Sequence, residues 1–369
     1  MNIQSRMEMQ KQRIKLLVLR VTDSCNLNCL YCYALGGNRR DDMSWRVARK
    51  TIDYVAQGND SFKIQFTGGE PLHNFELIER IIEYVARRKL KVKFQLQTNG
   101  TLISRELAEK IRYYGIAVGV SLDGKPGIND YLRPLCSGEG STAAVISGIK
   151  NLRAEGIKVG LTAVLSNKNT AHLPELVDLA SYLGNIYGIA LDLFRPLGRG
   201  KNSSIAAPEA NYLTKSLLQS FKRADQLSSG GGNRVRFREL EGIKYQLQRK
   251  VKRDHYCYAT TGESIAVMPK GQVYPCSSLA GLKDFLFGNI MDRDFNSQKL
   301  QNLIIASEGT TSSNCSSCSY DWLCGGGCFA RRIAYHGNTA EPFIGDCILK
   351  KTAIKYIQRH DLSLINESS

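Results

Sequence analysis

Long apolar runs are missing from this sequence. Although 43% of its 369 residues are apolar, no stretch approaches the roughly 18 that a membrane-spanning helix needs. The first 15 residues are polar and basic, and the apolar run that follows is only Leu16–Leu19. A secretory signal needs an apolar region of about 7–15 residues. A cytoplasmic protein is therefore expected, with no membrane partner. Internal repeats and low-complexity tracts are also missing, which excludes solenoids and disordered linkers.

What is present first is alternation. From residue 15 to about 197, short strands rich in Val, Ile, Leu and Phe alternate with helical patterns. The strands are expected at Lys15–Thr22, Lys63–Thr67, Lys93–Gln97, Ala117–Leu122, Lys158–Leu165 and Ile189–Phe194, and the helices at Trp45–Ala56, Asn74–Arg88, Ser104–Tyr114, Ser141–Glu155 and His172–Leu183. Ser104 reads as a helix cap and Gly115 as a stop. Six βα units imply an α/β fold, a parallel sheet curling into a partial (β/α)6 TIM-like barrel, with ligands at the carboxyl ends of its strands.

The rhythm then breaks. Gly/Ser/Asn-rich loops at 198–204 and 228–233 bracket a helix, Pro208–Gln226, and beyond residue 250 lie short strands and most of the cysteines. Expected segments are an N-terminal extension (1–14), the barrel (15–197), a bridge (198–256), a cysteine-rich domain (257–350) and a tail (351–369). With so little apolar periodicity, the cysteine-rich part is expected to need metal to fold.

Eleven cysteines in a reducing compartment argue against disulfides. They cluster at short spacing, as metal ligation requires. Cys25-x3-Cys29-x2-Cys32 follows the first strand directly, and no nearby fourth ligand presents itself. Structural zinc asks for four protein ligands, whereas three thiolates on a four-iron cube leave one iron open. The second strand runs into Gly68-Gly69-Glu70-Pro71. The glycines permit a tight turn beside a ligand, and the carboxylate can accept from an ammonium; alone, the motif is an ordinary turn. Gln97-Thr98-Asn99-Gly100 and Ser121-Leu122-Asp123-Gly124 close the third and fourth strands; these too are simple turn formers.

With Tyr31 just before the last cysteine, Cys25, Cys29 and Cys32 resemble the radical S-adenosylmethionine (radical SAM) signature. The resemblance implies a [4Fe-4S] cluster whose open iron is chelated by S-adenosylmethionine, which one electron splits to methionine and a 5′-deoxyadenosyl radical. Gly68, Gly69 and Glu70 match the family's GGE motif, which meets the methionine ammonium. Asn99, Ser121 and Asp123 resemble positions lining the nucleoside pocket. Arg133 is a candidate for the carboxylate, with structural pairing to Asp130 as the alternative. Leu165 and Leu193 are candidates to flank adenine; core packing is the alternative.

The later cysteines, Cys257, Cys276, Cys315-x2-Cys318-x5-Cys324-x3-Cys328 and Cys347, resemble the SPASM extension of such enzymes. By that resemblance Cys315, Cys318, Cys324 and Cys347 hold one auxiliary [4Fe-4S] cluster, and Cys257, Cys276 and Cys328 hold another, making three clusters in all. Two departures stand out. Relatives that mature sulfatases offer a fourth cysteine soon after the first and an aspartate after Tyr-Pro-Cys; here the cluster has either an open iron or an oxygen or nitrogen ligand, with Glu263 and His255 as candidates, and Ser277 stands where the aspartate would be. Serine is no base at neutral pH, so sulfatase maturation is not expected.

The formal charge is +16, from 50 basic and 34 acidic residues. The basic residues are dispersed over helix faces and thiolate clusters add uncounted negative charge, so nucleic acid is not an expected partner. The expectation is a radical SAM peptide maturase. It abstracts hydrogen at Cα or Cβ and closes a thioether or carbon–carbon crosslink in a ribosomally made precursor peptide. A flavodoxin- or ferredoxin-type donor supplies electrons, and the leader docks on the barrel or on a separate leader-binding protein. The alternatives are a peptide epimerase with Cys136 as hydrogen donor, a sulfatase-type maturase, and an iron–sulfur electron carrier or zinc scaffold. Cys136 otherwise reads as a buried free thiol.

Overall fold

A computed structural model describes residues 14–57, 59, 61–295, 313–338 and 340–360. Six parallel strands form the barrel wall: β1 (Leu16–Thr22), β2 (Ser61–Gly68), β3 (Lys91–Thr98), β4 (Ala117–Ser121), β5 (Val159–Leu165) and β6 (Ile186–Leu193). They pair in chain order. Between them run α1 (Trp45–Ala56), α2 (Phe75–Arg87), α3 (Arg105–Tyr113), α4 (Pro126–Leu132), α5 (Thr142–Ala154) and α6 (Leu173–Leu183). Ser44 and Ser104 cap α1 and α3 by accepting from Val47 N and Leu107 N, each offsetting orphan amides by about 1 kcal/mol. Gly115 stops α3 at φ +63°. Buried Ile52, Ile64, Phe66, Ile78 and Leu96 fill the space between sheet and helices. Among the described residues no helix is long and apolar enough to cross a membrane.

The expected linker is part of the wall. β7 (Arg236–Phe237) extends the sheet beside β6. α7 (Ala210–Ser229) and α8 (Arg238–Arg249) contribute Leu213, Leu217, Phe221 and Ile243 to the main core. The cysteine-rich segment is likewise less poor in core than its periodicity suggests. Its strand β8 (Ser264–Val267) pairs parallel with β1, and β9 (Gln272–Tyr274) and β10 (Gly288–Asn289) continue the same ten-stranded sheet. Ile265, Val267, Val273 and Ile290 enter the main core. Strands of two to four residues are too short to show a period.

After two single-turn helices at Ser313–Ser316 and Asp321–Cys324 come two longer ones, α9 (Phe329–His336) and α10 (Ile344–His360). The tail expected from 351 is corrected over its described part: α10 occupies 351–360, and Leu349, Ala353, Ile354 and Ile357 are core residues. The Tyr356 hydroxyl donates to Asp225 on α7 (2.6 Å). The expected extension before residue 14 and the chain beyond 360 lie outside the described residues.

Candidate functional site

Strand β1 delivers its chain into the loop bearing Cys25, Cys29 and Cys32. Asp23 beside it pairs with Arg20 (2.5 Å). The end of β2 is fastened to the start of this loop by the backbone: Gly69 N donates to Thr22 O (2.8 Å) and Glu70 N to Ser24 O (2.7 Å). A Cβ on Gly69 would meet Ser24 O at 2.2 Å, and one on Gly68 would meet Thr22 O at 2.4 Å. The glycines are thus required by the approach of the two backbones.

Glu70 is 0% exposed. Its carboxylate accepts from Thr98 Oγ1 (2.6 Å), Asn99 N (2.7 Å) and Leu72 N (3.2 Å). It therefore pins the end of β3, so that Thr98 and Asn99 face the cavity that Gly68 and Gly69 also line. Burial pushes its pKa up to about 7, against those hydrogen bonds.

Tyr31, Asp123 and Arg133 form one buried group. The Tyr31 hydroxyl donates to Asp123 and accepts from Arg133 Nη1 (2.7 Å). Asp123 Oδ1 accepts from Val164 N (2.9 Å). Burial raises the pKa of both Tyr31 and Asp123. Arg133 keeps its Nε buried without a partner, while Asp130, the alternative partner considered for it, accepts from Thr142 instead.

Tyr31, Arg133, Asn99 and Ser121 reach the wall of a cavity of about 940 Å³. The other four cosubstrate candidates do not. Glu70 and Asp123 stand behind the wall as braces, and Leu165 and Leu193 are core side chains.

Cys25, Cys29 and Cys32 line this cavity, and so do Cys257, Cys276 and Cys328. The later thiols fall into two groups by mutual electrostatic influence: Cys257 and Cys276 with Cys328, and Cys347 with Cys315 and Cys324. Cys318 closes a turn onto Cys315 O (3.0 Å). Of the two substitutes for a fourth ligand near Cys257, Glu263 is engaged by Lys15 (2.5 Å) and Thr261 (2.9 Å), and His255 is exposed. Cys136 is exposed, not buried, with its Sγ 3.6 Å from Cys25 O, and is not among the cavity's lining residues.

Five residues without a sequence motif, Arg331, Asp346, Asp192, Tyr256 and Arg199, tie the cysteine-bearing segments to the barrel. Arg331 on α9, 2% exposed, reaches Asp346 (2.5 Å), Asp192 at the end of β6 (2.5 Å) and the Tyr256 hydroxyl (3.0 Å). Asp346 also accepts from Cys328 N (3.0 Å). One ion network therefore touches the neighbours of Cys257, Cys328 and Cys347. Arg199, after β6, donates to Cys29 O (2.9 Å) and Gly36 O (2.9 Å), while its own amide donates to Cys32 O (3.0 Å). The only advance signal for these residues is adjacency to cysteines or to a strand end.

These residues fit the group that the resemblance implies. Three thiols share a loop at the strand ends, an orphaned guanidinium N–H points to a missing acceptor, and the cavity lies within the roughly 300–1,000 Å³ usual for a ligand. Burial pushes the thiols of Cys25 and Cys276 up to about 12, and those of Cys29 and Cys347 up to about 11, from an ordinary 9. Iron must displace these protons. A thiol raised in the fold stabilises it while protonated, a contribution whole below about pH 9 and lost as pH climbs through 11–12. Cluster-free protein should then show a urea midpoint that falls from pH 8 to pH 10.5, and iron-loaded protein a smaller fall. Equal pH dependence in the two forms would refute the buried-thiol picture.

The comparisons agree with this geometry. The family model described as the Radical SAM superfamily matches residues 19–180. A radical SAM cyclopropyl synthase, TigE of Paramaledivibacter caminithermalis, is 25% identical over 93% of this chain and 74% of its own length. The solved structure of anSMEcpe with bound AdoMet and Kp18Cys peptide superposes with a TM-score of 0.80 at 22% identity, over 95% of this chain and 99% of that one. An uncharacterized protein of Methanocaldococcus jannaschii is 38% identical over 76% of this chain and 90% of its own length. Through residues 19–180, from within its first strand into its sixth helix, this chain belongs to the radical SAM superfamily, a family of enzymes.

Proposed function

We propose that this enzyme modifies a ribosomally made peptide by oxidative crosslinking, thioether or carbon–carbon, at Cα or Cβ. One observation carries the reading: Cys25, Cys29 and Cys32 line the same cavity as Cys257, Cys276 and Cys328. Clusters held there would supply, on one side, the electron that splits S-adenosylmethionine and, on the other, a sink for the second electron of a two-electron oxidation. In this reading a third cluster rests on Cys315, Cys318, Cys324 and Cys347, outside the cavity lining. The barrel and the cysteine-rich segment act as one unit.

The chain's own side chains do the rest. Gly68 and Gly69 bring β2 against the cluster loop, and Glu70 holds Thr98 and Asn99 at the cosubstrate wall. Arg133, steadied by Tyr31, offers its free N–H to a carboxylate. Arg195 lines the cavity, where its charge acts on Cys276 and Cys328, and is held by Asp192 (2.5 Å). The peptide-bound relative supports a fold suited to a peptide. Ser277 after Cys276 supplies no carboxylate base, and Cys136 stands off the cavity lining, so neither sulfatase-type maturation nor epimerisation through Cys136 gains support.

The test is product mass. The purified, reduced enzyme is incubated with S-adenosylmethionine and the product of any short peptide-encoding frame found next to its gene. The reading expects a product lighter by two hydrogens and about twelve irons per chain, as three four-iron cubes require. An unchanged mass, with deuterium entering the peptide from solvent, would replace crosslinking by epimerisation.

A further inference from the structure

We infer that Arg195, with Tyr33 beside it, is a carboxylate subsite for the substrate: the peptide places an acidic side chain or its own C-terminus there. The inference rests on the peptide reading above, names what that peptide must carry, and adds no chemical step to it. Arg195 lies two residues beyond β6, at the end of the barrel where ligands bind. Its side chain is 10% exposed. Nη2 is spent on the two oxygens of Asp192 (2.7 and 2.5 Å), and Asp192 serves Arg331 as well (2.5 Å). Nη1 makes no hydrogen bond among the described residues and stays open to the cavity that Arg195 lines.

The surroundings fix this guanidinium and leave its open edge for a ligand. Its central carbon stands 5.3 Å from the centre of the Tyr33 ring. Tyr33 lines the same cavity, and its hydroxyl has no hydrogen-bond partner among the described residues. Tyr33 adjoins Cys32 in the chain, while the charge of Arg195 acts on Cys276 and Cys328. The pair thus has one member beside each set of thiols, where a substrate shared by both sets has to lie. A planar guanidinium with one edge tied and the other open suits a carboxylate. The other carboxylates lining the cavity are already engaged, Asp254 by Lys252 (3.8 Å) and Glu263 by Lys15 (2.5 Å). Arg199 and Arg253 on the same wall meet only uncharged acceptors, among them Cys29 O (2.9 Å) and His255 O (3.2 Å), so the wall keeps positive charge to spare. The cosubstrate's carboxylate has Arg133, which belongs with Tyr31 and Asp123.

The test is equilibrium binding, read by ligand-observed NMR on iron-loaded protein saturated with S-adenosylmethionine and kept free of reductant. The probes are three N-acetylated tripeptides: Ala-Glu-Ala amide, Ala-Gln-Ala amide, and Ala-Gln-Ala with a free C-terminus. The proteins are wild type, Arg195→Gln, Arg195→Lys and Tyr33→Phe, matched for iron content. Wild type should bind one of the two charged peptides about tenfold more tightly than the neutral one, the worth of one hydrogen bond to a charged group. Which of the two it prefers separates a side-chain carboxylate from a terminal one. Arg195→Gln should lose the preference while binding the neutral peptide as wild type does, Arg195→Lys should keep part of it, and Tyr33→Phe should reduce it severalfold. The KM for S-adenosylmethionine in reductive cleavage should not move in Arg195→Gln. No preference in wild type, or one that survives Arg195→Gln, overturns the assignment. So does equal weakening of all three peptides, which makes Arg195 structural, or a raised KM for S-adenosylmethionine, which gives it to the cosubstrate. Binding is read without turnover, so a carboxylate preference beside an unchanged product mass would sink the crosslinking reading and leave the subsite standing.

Discussion

Alanine at Cys25, Cys29 or Cys32 is expected to reduce 5′-deoxyadenosine formation to background. The three thiols share one loop, and the other thiols lining the cavity among the described residues, Cys257, Cys276 and Cys328, lie on other segments of the chain. Losing an outer partner of a metal site costs roughly 10–100-fold; losing one of only three ligands should exceed that. Glu70→Gln is the instructive contrast. It keeps the cluster ligands and weakens the hold on Thr98 and Asn99, so iron content should stay at the wild-type level while the KM for S-adenosylmethionine rises. The check is anaerobic reduction with dithionite, with quantification of iron and of 5′-deoxyadenosine. Wild-type turnover by Cys29→Ala would contradict the assignment.

Asp346→Ala should be the most damaging single change outside the cluster ligands. Arg331 is 2% exposed, and without Asp346 its charge rests on Asp192 alone. Breaking a buried pair by removing one partner typically costs about 3–5 kcal/mol, because the other charge stays buried. The Cys328 amide loses its acceptor as well. By contrast, Asp178→Ala removes the exposed pair with Arg223 and should cost under about 1 kcal/mol. Urea unfolding of the iron-loaded proteins distinguishes them. Asp346→Ala should also lose iron, since its network adjoins Cys257, Cys328 and Cys347. Equal midpoints for the two variants would remove the hub from the account.

Much of the barrel was legible because its signals are local. The apolar stripe of α1 gave Trp45 and Ala56 as its ends, which the structure reproduces. Strands buried on both faces read as continuous apolar runs, though β6 begins at Ile186, three residues before the apolar run suggested. α4 was missed because its seven residues fall within turn-forming sequence. The cysteine spacings announced metal chemistry, since thiolates rarely recur so closely for any other reason. What stayed hidden is long-range. Arg331 meets Asp192 across 139 positions, and nothing in either neighbourhood announces the other. Glu70 matched a motif, yet only burial reveals that its oxygens are occupied by β3. Helix α10 escaped notice because it presents buried residues around much of its circumference, Leu349, Lys350, Thr352, Ala353 and Ile354 among them, so it lacks the one-sided stripe that marks a surface helix.

Electron paramagnetic resonance of the dithionite-reduced protein, recorded with and without S-adenosylmethionine, tests the central claim most directly. A cube held by Cys25, Cys29 and Cys32 with one iron open to the cosubstrate predicts a reduced-cluster signal that changes shape when S-adenosylmethionine is added and disappears in Cys29→Ala. A signal indifferent to S-adenosylmethionine would mean that a protein side chain fills the fourth corner, and the account would fail.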